Sequence, residues 1–353
     1  MTTLFDPIQV GDLTLKNRIF MAPLTRQRAG DERIPNALMA HYYAERASAG
    51  LILSEATSVS PQGIGYAGTP GIWSAEQVAG WKLVTDAVHQ AGGHISMQLW
   101  HVGRISDPSF LNGDLPVAPS AISAQGNVSL LRPRRAYVTP RSLELNEIPG
   151  IVAAFRQGAA NAQAAGFDGV EVHAANGYLL DQFLQDSTNH RTDAYGGPIE
   201  NRARLLLEIT DACIGVWGAN RVGVHLAPRG DMHTMGDSNP AATFGYVARE
   251  LAHRRIAFVF VRESLGENRL GPQLKAIFGG VYVANENFTK EIAQQALDAG
   301  EADAVAWGKL FIANPDLPRR FALNAPLNTP DTSTFYGAGE KGYADYPTLK
   351  TTD

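Results

Sequence analysis

The chain has 353 residues, of which 44% are hydrophobic and 18% charged, a balance typical of a globular protein with a large core and not of a disordered one. Thirty basic against thirty-five acidic residues give a net charge of −5, which argues against a protein that binds nucleic acid by neutralising phosphates. A single cysteine, Cys213, excludes an internal disulfide and a multi-cysteine metal site. There is no secretory pattern at the start and no run of 18 apolar residues, so we expect a cytoplasmic protein without membrane association.

The predicted elements alternate between short strands and helices. Residues 4–16 alternate in polarity around Gly11 and Asp12, which predicts a hairpin that plugs one mouth of the main fold. Apolar runs then predict eight strands, at 19–21, 51–53, 94–99, 170–172, 222–226, 258–261, 281–283 and 304–306. Helical patterns accompany them at 35–48, 75–90, 147–164, 199–216, 240–253, 272–278, 290–298 and 315–322.

Strands that alternate with helices predict parallel strands joined by right-handed crossovers. Eight such units fit a closed (β/α)8 barrel of the α/β class, a TIM barrel, better than an open sheet. No linker separates two halves, so we predict one domain over residues 1–353. The segment 100–146, after the third strand, is too long for an ordinary connection and predicts a lid or a substrate-shaping excursion over the barrel mouth.

Polar residues follow the predicted strands at their carboxyl ends, where barrel enzymes assemble their active sites. Taken singly, each is more often a structural residue than a catalytic one, because single motif residues have a high false-positive rate. Together they predict one site built from several strands, with the members Thr25, Gln98, Trp100, His173, Asn176, Tyr178, His225 and Lys309.

The stretch 167–202 contains the string HAANGYL, followed by YGG and ENR. This string resembles the Old Yellow Enzyme family of FMN-dependent ene reductases. The resemblance implies the (β/α)8 barrel, an FMN cofactor and NAD(P)H as the reductant. It also implies catalytic roles for three residues: His173 and Asn176 hold the activating oxygen of the substrate, and Tyr178 donates a proton.

The same resemblance implies further contacts to FMN and substrate. The turn Pro23, Leu24 and Thr25 matches the family segment that covers the flavin ring, Ala56 matches a small residue beside the ring, and Gln98 matches the residue at the pyrimidine edge. In the loops after the last two strands, where barrels commonly bind phosphate, the candidates are Asn285, Gly308 and Lys309. The candidate substrate contacts are Tyr66, Trp100 and Tyr343.

Three positions depart from the family pattern. His225 stands where relatives place an arginine beneath the flavin, and Arg229 is an alternative cation for that task. Glu286 replaces a glycine and Lys309 an arginine near the expected phosphate. Lysine lacks the bidentate fork of arginine, and a carboxylate near a phosphate repels it unless the side chain turns away.

The sequence therefore predicts an ene reductase that transfers hydride through FMN to electron-poor alkenes, such as enones, maleimides and nitroalkenes, with nitrate esters as a further class. The N-ethylmaleimide and nitrate-ester reductases look like the nearest branch. The alternative is a barrel that binds flavin poorly and uses the His-Asn-Tyr site as an isomerase or lyase. A non-catalytic ligand binder ranks lower, because the proton donor is intact. Either a monomer or a homodimer fits the sequence.

Two other signals are discounted. GIGYAG at 63–68 matches a dinucleotide-binding glycine pattern, but no helix is predicted directly after it, so we predict a loop. His89, His94 and His101 are not at a recognised ligand spacing, and we predict no metal site.

Overall fold

The structure is a computed structural model in which residues 2–350 are described. Its strands, numbered in chain order, are β1 (Ile8–Val10), β2 (Leu13–Leu15), β3 (Ile19–Met21), β4 (Ile52–Leu53), β5 (Thr57–Ser58), β6 (Ile95–Trp100), β7 (Val117–Ala118), β8 (Arg141–Ser142), β9 (Gly169–Ala174), β10 (Val222–Leu226), β11 (Phe258–Arg262), β12 (Val281–Asn285) and β13 (Ala304–Trp307). Its α-helices are α1 (Ala37–Ala44), α2 (Ala75–Gln90), α3 (Ile148–Ala164), α4 (Leu179–Leu184), α5 (Ile199–Trp217), α6 (Pro240–Arg254), α7 (Gly271–Phe278), α8 (Lys290–Asp298), α9 (Lys309–Ala313) and α10 (Leu317–Leu323).

Parallel strands close into a barrel. Each strand in the series β3, β4, β6, β9, β10, β11, β12 and β13 is hydrogen-bonded to the next, and β13 returns to pair with β3. The register shows the closure, since Ile19 lies opposite Val305 on one side of β3 and Met21 lies opposite Ile52 on the other. The predicted (β/α)8 barrel is therefore confirmed.

The barrel wall is apolar on both faces, because side chains fill its interior and helices cover its exterior. Outward residues such as Val170 and Val259 belong to the large cluster that includes the helices. Inward residues such as Phe260 form a second cluster inside the barrel. Since successive strand residues face opposite sides, Glu171 and His173 of β9 point inward.

The hairpin of β1 and β2 closes the mouth at the amino-terminal ends of the strands. Ile8, Val10 and Leu15 are buried in the cluster that fills the barrel interior. The turn requires Gly11, which has a φ of +54° and whose added Cβ would lie only 1.8 Å from the carbonyl oxygen of Asn220. The opposite mouth, at the carboxyl ends, is left for a binding site.

Some element boundaries differ from the prediction. Helix α1 is shorter than the predicted 35–48 at both ends. It begins after Asn36, whose side-chain oxygen accepts a hydrogen bond from the amide of Met39, and it ends before Glu45. Strand β6 extends to Trp100. The sequence pattern does not predict α4 and α9, which have six and five residues and are too short to show a helical period. Within residues 2–350, no helix combines the length and hydrophobicity that crossing a bilayer requires.

The long excursion after β6 supports the site from outside. Val102 and Ile105 form a small apolar cluster with Trp100 and Tyr66. No residue of 101–146, a segment the structure describes throughout, lines the cavity at the carboxyl-terminal mouth. The excursion therefore shapes the site by packing behind Trp100 and Tyr66, and a lid over the substrate stays a prediction.

Buried arginines tie down the C-terminal tail. Arg26, which has no exposed surface, donates a hydrogen bond of 2.7 Å to the carbonyl of Gly342. Beside it, Tyr343 stacks on Tyr42 with ring centroids 4.0 Å apart. These contacts hold the tail against the barrel, and Tyr336 of the same tail reaches the mouth.

Candidate active site

A cavity of about 600 Å³ opens at the carboxyl ends of the barrel strands. Pockets that bind cofactors and small molecules commonly have volumes of about 300–1,000 Å³. All but two of the predicted site residues line this cavity, namely Pro23, Leu24, Thr25, Ala56, Gln98, Trp100, His173, Asn176, Tyr178, His225, Asn285, Gly308 and Lys309. The barrel therefore brings together residues that are far apart in the sequence.

The end of β9 forms one wall. After His173 the chain turns through Asn176 and Gly177, which have φ values of +59° and +77°. Glycine is needed at the second position, because an added Cβ would lie 2.9 Å from the neighbouring backbone. The turn brings His173, Asn176 and Tyr178 to the same cavity.

The phenol of Tyr178 is held among aromatic rings. Its hydroxyl lies 2.9 Å from that of Tyr66, and its ring meets those of Trp100 and His173 edge-on at centroid distances of 4.9 and 5.2 Å. Burial raises the pKa of Tyr178, although the hydrogen bond between its hydroxyl and that of Tyr66 opposes this. The phenol therefore keeps its proton at neutral pH and can donate it.

The imidazole of His173 is neutral. Burial, with the nearby His225 and the cation of Arg262, lowers the pKa of His173 well below its ordinary value. Its Nδ1 atom is buried and has no partner among residues 2–350. A neutral imidazole still carries one N–H, so His173 can donate a hydrogen bond to an electronegative atom of a ligand.

The floor of the cavity is a buried polar network. The Nε2 atom of Gln98 donates to Oε2 of Glu171 at 2.6 Å and to Nδ1 of His225 at 3.0 Å. These bonds use both amide hydrogens, so the Oε1 atom of Gln98 remains as an acceptor. Burial raises the pKa of Glu171 to about 8 and lowers that of His225 to about 3, so both groups are neutral at pH 7.

This network fits the pyrimidine edge of a flavin. Because Nδ1 of the neutral His225 accepts a hydrogen bond, its proton sits on Nε2, which is buried without a partner among the described residues. The floor thus offers an acceptor on Gln98 beside a donor on His225. A flavin edge presents the complementary pair, a ring N–H beside a carbonyl oxygen.

The loops after β12 and β13 form the opposite end of the cavity. The side chain of Asn285 donates to the carbonyl of Ala306 at 2.8 Å and so ties the two strands together. Lys309, exposed at the start of α9, supplies a positive charge to this end. One phosphate can therefore be bound here by a point charge, without the two parallel bonds that arginine makes.

The carboxylate of Glu286 is neutralised by a residue that the sequence analysis missed. The Nε and Nη2 atoms of Arg262 donate to its two oxygens at 3.2 and 3.0 Å. The concern that Glu286 would repel a phosphate is reduced, since its charge is paired. Arg262 could have been found by the signal that identified the other candidates, because it is a polar residue at the carboxyl end of a buried strand.

The two remaining candidates do not line the cavity. Tyr66 contacts it only through its hydrogen bond to Tyr178. Tyr343 is fully buried against Tyr42, so its predicted contact with the substrate is corrected. The tyrosine of the tail that lines the cavity is Tyr336. In a tail without periodicity, the sequence pattern cannot distinguish the two.

Arg229 does not replace His225 at the floor. Its Nε atom pairs with Glu263 at 2.8 Å, its Nη2 atom donates to the carbonyl of Ser264 at 2.7 Å, and it is not among the lining residues. In residues 2–350 no three His, Cys, Asp or Glu side chains are grouped as a metal site would require.

Fold and site together define a barrel oxidoreductase that uses a flavin. The family model described as "NADH:flavin oxidoreductase / NADH oxidase family" matches residues 3–328. The chain belongs to this family, which is the family of Old Yellow Enzyme and its homologues. It is an FMN-dependent oxidoreductase with a reduced nicotinamide as its reductant.

Individual relatives agree over the full length. The Old Yellow Enzyme homologue from Zymomonas mobilis (NCR) superimposes with a TM-score of 0.96 at 47% identity, covering 99% of this chain and 100% of the other. Morphinone reductase in complex with tetrahydroNAD gives 0.96 at 49% identity, with 99% of each chain covered. The flavin oxidoreductase hxnT of Emericella nidulans is 44% identical, with 98% of this chain and 97% of the relative covered. 12-oxophytodienoate reductase 2 of Arabidopsis thaliana is 42% identical, with 99% and 96% covered.

Proposed function

We propose that this enzyme reduces the C=C bond of electron-poor alkenes, such as enones, maleimides and nitroalkenes, and that nitrate esters are a further substrate class. The observation that carries the proposal is the β9 wall, where a neutral imidazole, a carboxamide and a protonated phenol face one cavity. Relatives named as reductases of 12-oxophytodienoate, together with morphinone reductase, support a reductase.

The residues present fit FMN. Gln98 and His225 would hold the pyrimidine edge, the segment Pro23, Leu24 and Thr25 would cover the ring, and Lys309 would bind the phosphate. When bound, FMN supplies the hydride that it takes from NAD(P)H. The protein contributes the placement of the alkene and the control of charge and proton.

His173 and Asn176 would bind the carbonyl or nitro oxygen of the alkene. As hydride reaches the β carbon, negative charge develops on that oxygen, and donors fixed in a buried site stabilise such charge more than they stabilise the ground state. Both donors are uncharged. They therefore bind the neutral substrate without the desolvation cost that a buried cation would carry.

Tyr178 would complete the reaction by protonating the α carbon. Its proton is retained at neutral pH, because burial raises the pKa of the phenol. The hydroxyl of Tyr66, 2.9 Å away, can stabilise the phenolate that forms when the proton leaves and can pass a replacement proton. Tyr66 thus assists the acid without contacting the substrate.

The alternative, an isomerase or lyase that binds flavin poorly, is no longer favoured by the residues that suggested it. It rested on Glu286, Lys309 and His225 as unfavourable residues for FMN. Glu286 is paired with Arg262. Lys309 lines the cavity, and His225 presents a donor suited to a flavin carbonyl.

Reactions of the purified, FMN-loaded enzyme with deuterated NADPH or in D₂O test the proposal. Anaerobic NADPH should bleach the yellow flavin, and an enone or nitroalkene should restore the colour. With NADPH deuterated at the transferred position, deuterium should appear at the β carbon. In D₂O with unlabelled NADPH it should appear at the α carbon. An isomerase or lyase would instead convert its substrate without consuming NADPH, and that result would refute the reductase.

A further inference from the structure

We propose that Arg262, anchored by Glu286, is a positioning residue that fixes the carboxamide of Asn176 with its amide hydrogens facing the cavity. The inference rests on the proposed function, because the orientation matters only if Asn176 donates to a substrate oxygen. It assigns a role to an ion pair that the reaction does not otherwise use. Arg262 need not contact the substrate for this role.

The orientation follows from hydrogen-bond chemistry. The Nη1 atom of Arg262 lies 3.0 Å from the Oδ1 atom of Asn176. A guanidinium has five N–H donors and no acceptor, so the amide atom that meets it must be the oxygen. The amide nitrogen of Asn176 then points away from Arg262 and is available to the cavity that this residue lines. Without Arg262, the carboxamide could rotate and present its oxygen to the substrate oxygen, which repels it.

Glu286 and Met232 hold the guanidinium itself. Glu286 accepts from Nε and Nη2, and the thioether of Met232 lies 2.8 Å from Nη1. The paired side chains of Arg262 and Glu286 are 31% and 26% exposed, so solvent weakens their mutual attraction. Their geometric effect remains, because a bidentate pair fixes the plane of the guanidinium.

The backbone conformation at Glu286 supports a functional role for its carboxylate. Its φ is +97°, a conformation that glycine adopts freely and that other L residues rarely adopt. Backbone strain of this kind clusters at active sites and ligand clamps. The main chain of Asn176 is also held from the β10 side, since Nδ1 of His233 lies 2.7 Å from its carbonyl oxygen. Both the backbone and the side chain of Asn176 are thus fixed by neighbouring loops.

Single-turnover kinetics on the FMN holoenzyme test the proposal. The flavin is reduced anaerobically and is then reoxidised either by an enone or by O₂. The O₂ reaction serves as the reference, because O₂ has no carbonyl oxygen for Asn176 to bind. Arg262→Lys keeps the charge but loses the fork, and Glu286→Gly removes the anchor while relieving the backbone. Arg229→Gln is the matched control, because that arginine also pairs with a glutamate but lies outside the cavity lining.

We expect Arg262→Lys and Glu286→Gly to slow reoxidation by the enone about tenfold, the effect of misdirecting one hydrogen-bond donor. Reoxidation by O₂ should not change. Glu286→Gly should melt at the same temperature as the wild type or higher, which separates positioning from a structural role. Arg262→Lys should have no further effect in an Asn176→Ala background, because the residue through which it acts is gone.

Two outcomes would overturn the inference alone: wild-type enone rates in both variants, or a full tenfold effect of Arg262→Lys that persists in Asn176→Ala. Failure of the proposed function looks different. In that case no alkene reoxidises the wild-type flavin, and the Asn176→Ala and Arg262→Lys enzymes match the wild type only because all are inactive.

Discussion

The two sides of the cavity hold charge differently. On the β9 side, the neutral imidazole of His173 and the protonated phenol of Tyr178 carry no net charge. The rest of the lining, which we call the ionisable side, comprises the floor and the loops after β11, β12 and β13. There Arg262 and Glu286 form an ion pair, and Glu171 in the floor is a buried carboxyl without a cation beside it. Under the proposed function the two sides have different tasks: the neutral side would act on the substrate, and the ionisable side would hold the cofactor and position the donors. Substitutions on the neutral side should therefore change the rate of alkene reduction, whereas substitutions of His225 and Lys309 should change the potential or the affinity of the flavin. Arg262 and Glu286 are the exception, because they act on the rate through Asn176.

The largest effect is expected from Tyr178→Phe. Loss of a general acid typically costs about 10²–10⁴ in rate. Protonation of the alkene should slow by this amount, while reduction of the flavin by NADPH stays near the wild-type rate, because that step needs no proton from the phenol. Stopped-flow traces of the two half-reactions provide the measurement.

Tyr282→Phe is a suitable control for this variant, since Tyr282 is a buried tyrosine that packs in the cluster outside the barrel and does not line the cavity. Equal slowing of both half-reactions in Tyr178→Phe would contradict the assignment. It would show that the phenol shapes the pocket as a whole.

His173→Ala should have the next largest effect. It removes a donor aimed at developing negative charge, a loss commonly worth about 10²–10³ in rate. The variant should also bind phenolic ligands more weakly, because their oxygen would use the same donor. Titration of the holoenzyme with a phenol, followed by the visible flavin spectrum, measures this. His253→Ala, at an exposed position, serves as the control. An unchanged affinity for phenols in His173→Ala would show that His173 does not bind the oxygen of the ligand.

The barrel and the neutral side could be predicted from the sequence because their signals are local. Eight apolar runs that end in polar residues define the strands, and His173, Asn176 and Tyr178 lie within one continuous string. The ionisable side depends on contacts between separate loops. Arg262 and Glu286 follow different strands, and no spacing in the sequence relates them. The same limit explains Tyr343: periodicity could not say which aromatic residue of the tail packs inward and which lines the cavity.

On the ionisable side, Lys309→Ala should weaken FMN binding. A hydrogen bond to a charged group contributes about 1.5–3 kcal/mol, so the dissociation constant should rise roughly 10- to 100-fold. Fluorescence quenching of free FMN by the apoprotein measures it. The enone rate of fully loaded enzyme should stay near the wild-type value, and Lys82→Ala, at an exposed pair with Asp86, is the control. A loaded Lys309→Ala enzyme that remains slow would contradict the separation of tasks.

The smallest effect, and the sharpest test of the comparison, is expected from His225→Arg. With a pKa near 3, His225 supplies no charge to the flavin edge at neutral pH. An arginine there would stabilise reduced flavin, which is an anion at neutral pH, so the midpoint potential should rise by about 30 mV or more, equivalent to about 1.4 kcal/mol for a two-electron couple. Anaerobic spectroelectrochemistry gives this value.

The same substitution should change how stability depends on pH, because His225 lies 3.5 Å from the carboxyl of Glu171. Burial raises the pKa of Glu171 from 4.5 to about 8, so between these values the folded apoprotein keeps a proton that the unfolded chain releases. The free energy of unfolding therefore falls as pH rises through this window. A neighbouring arginine lowers the pKa of the carboxyl, so His225→Arg should flatten the fall, as should Glu171→Gln.

Glu171→Gln should leave the flavin potential at pH 7 unchanged, since one neutral group replaces another. If Glu171→Gln raised the potential as much as His225→Arg, the carboxyl would be ionised in the holoenzyme, and it, not the imidazole, would set the charge at this side of the cavity.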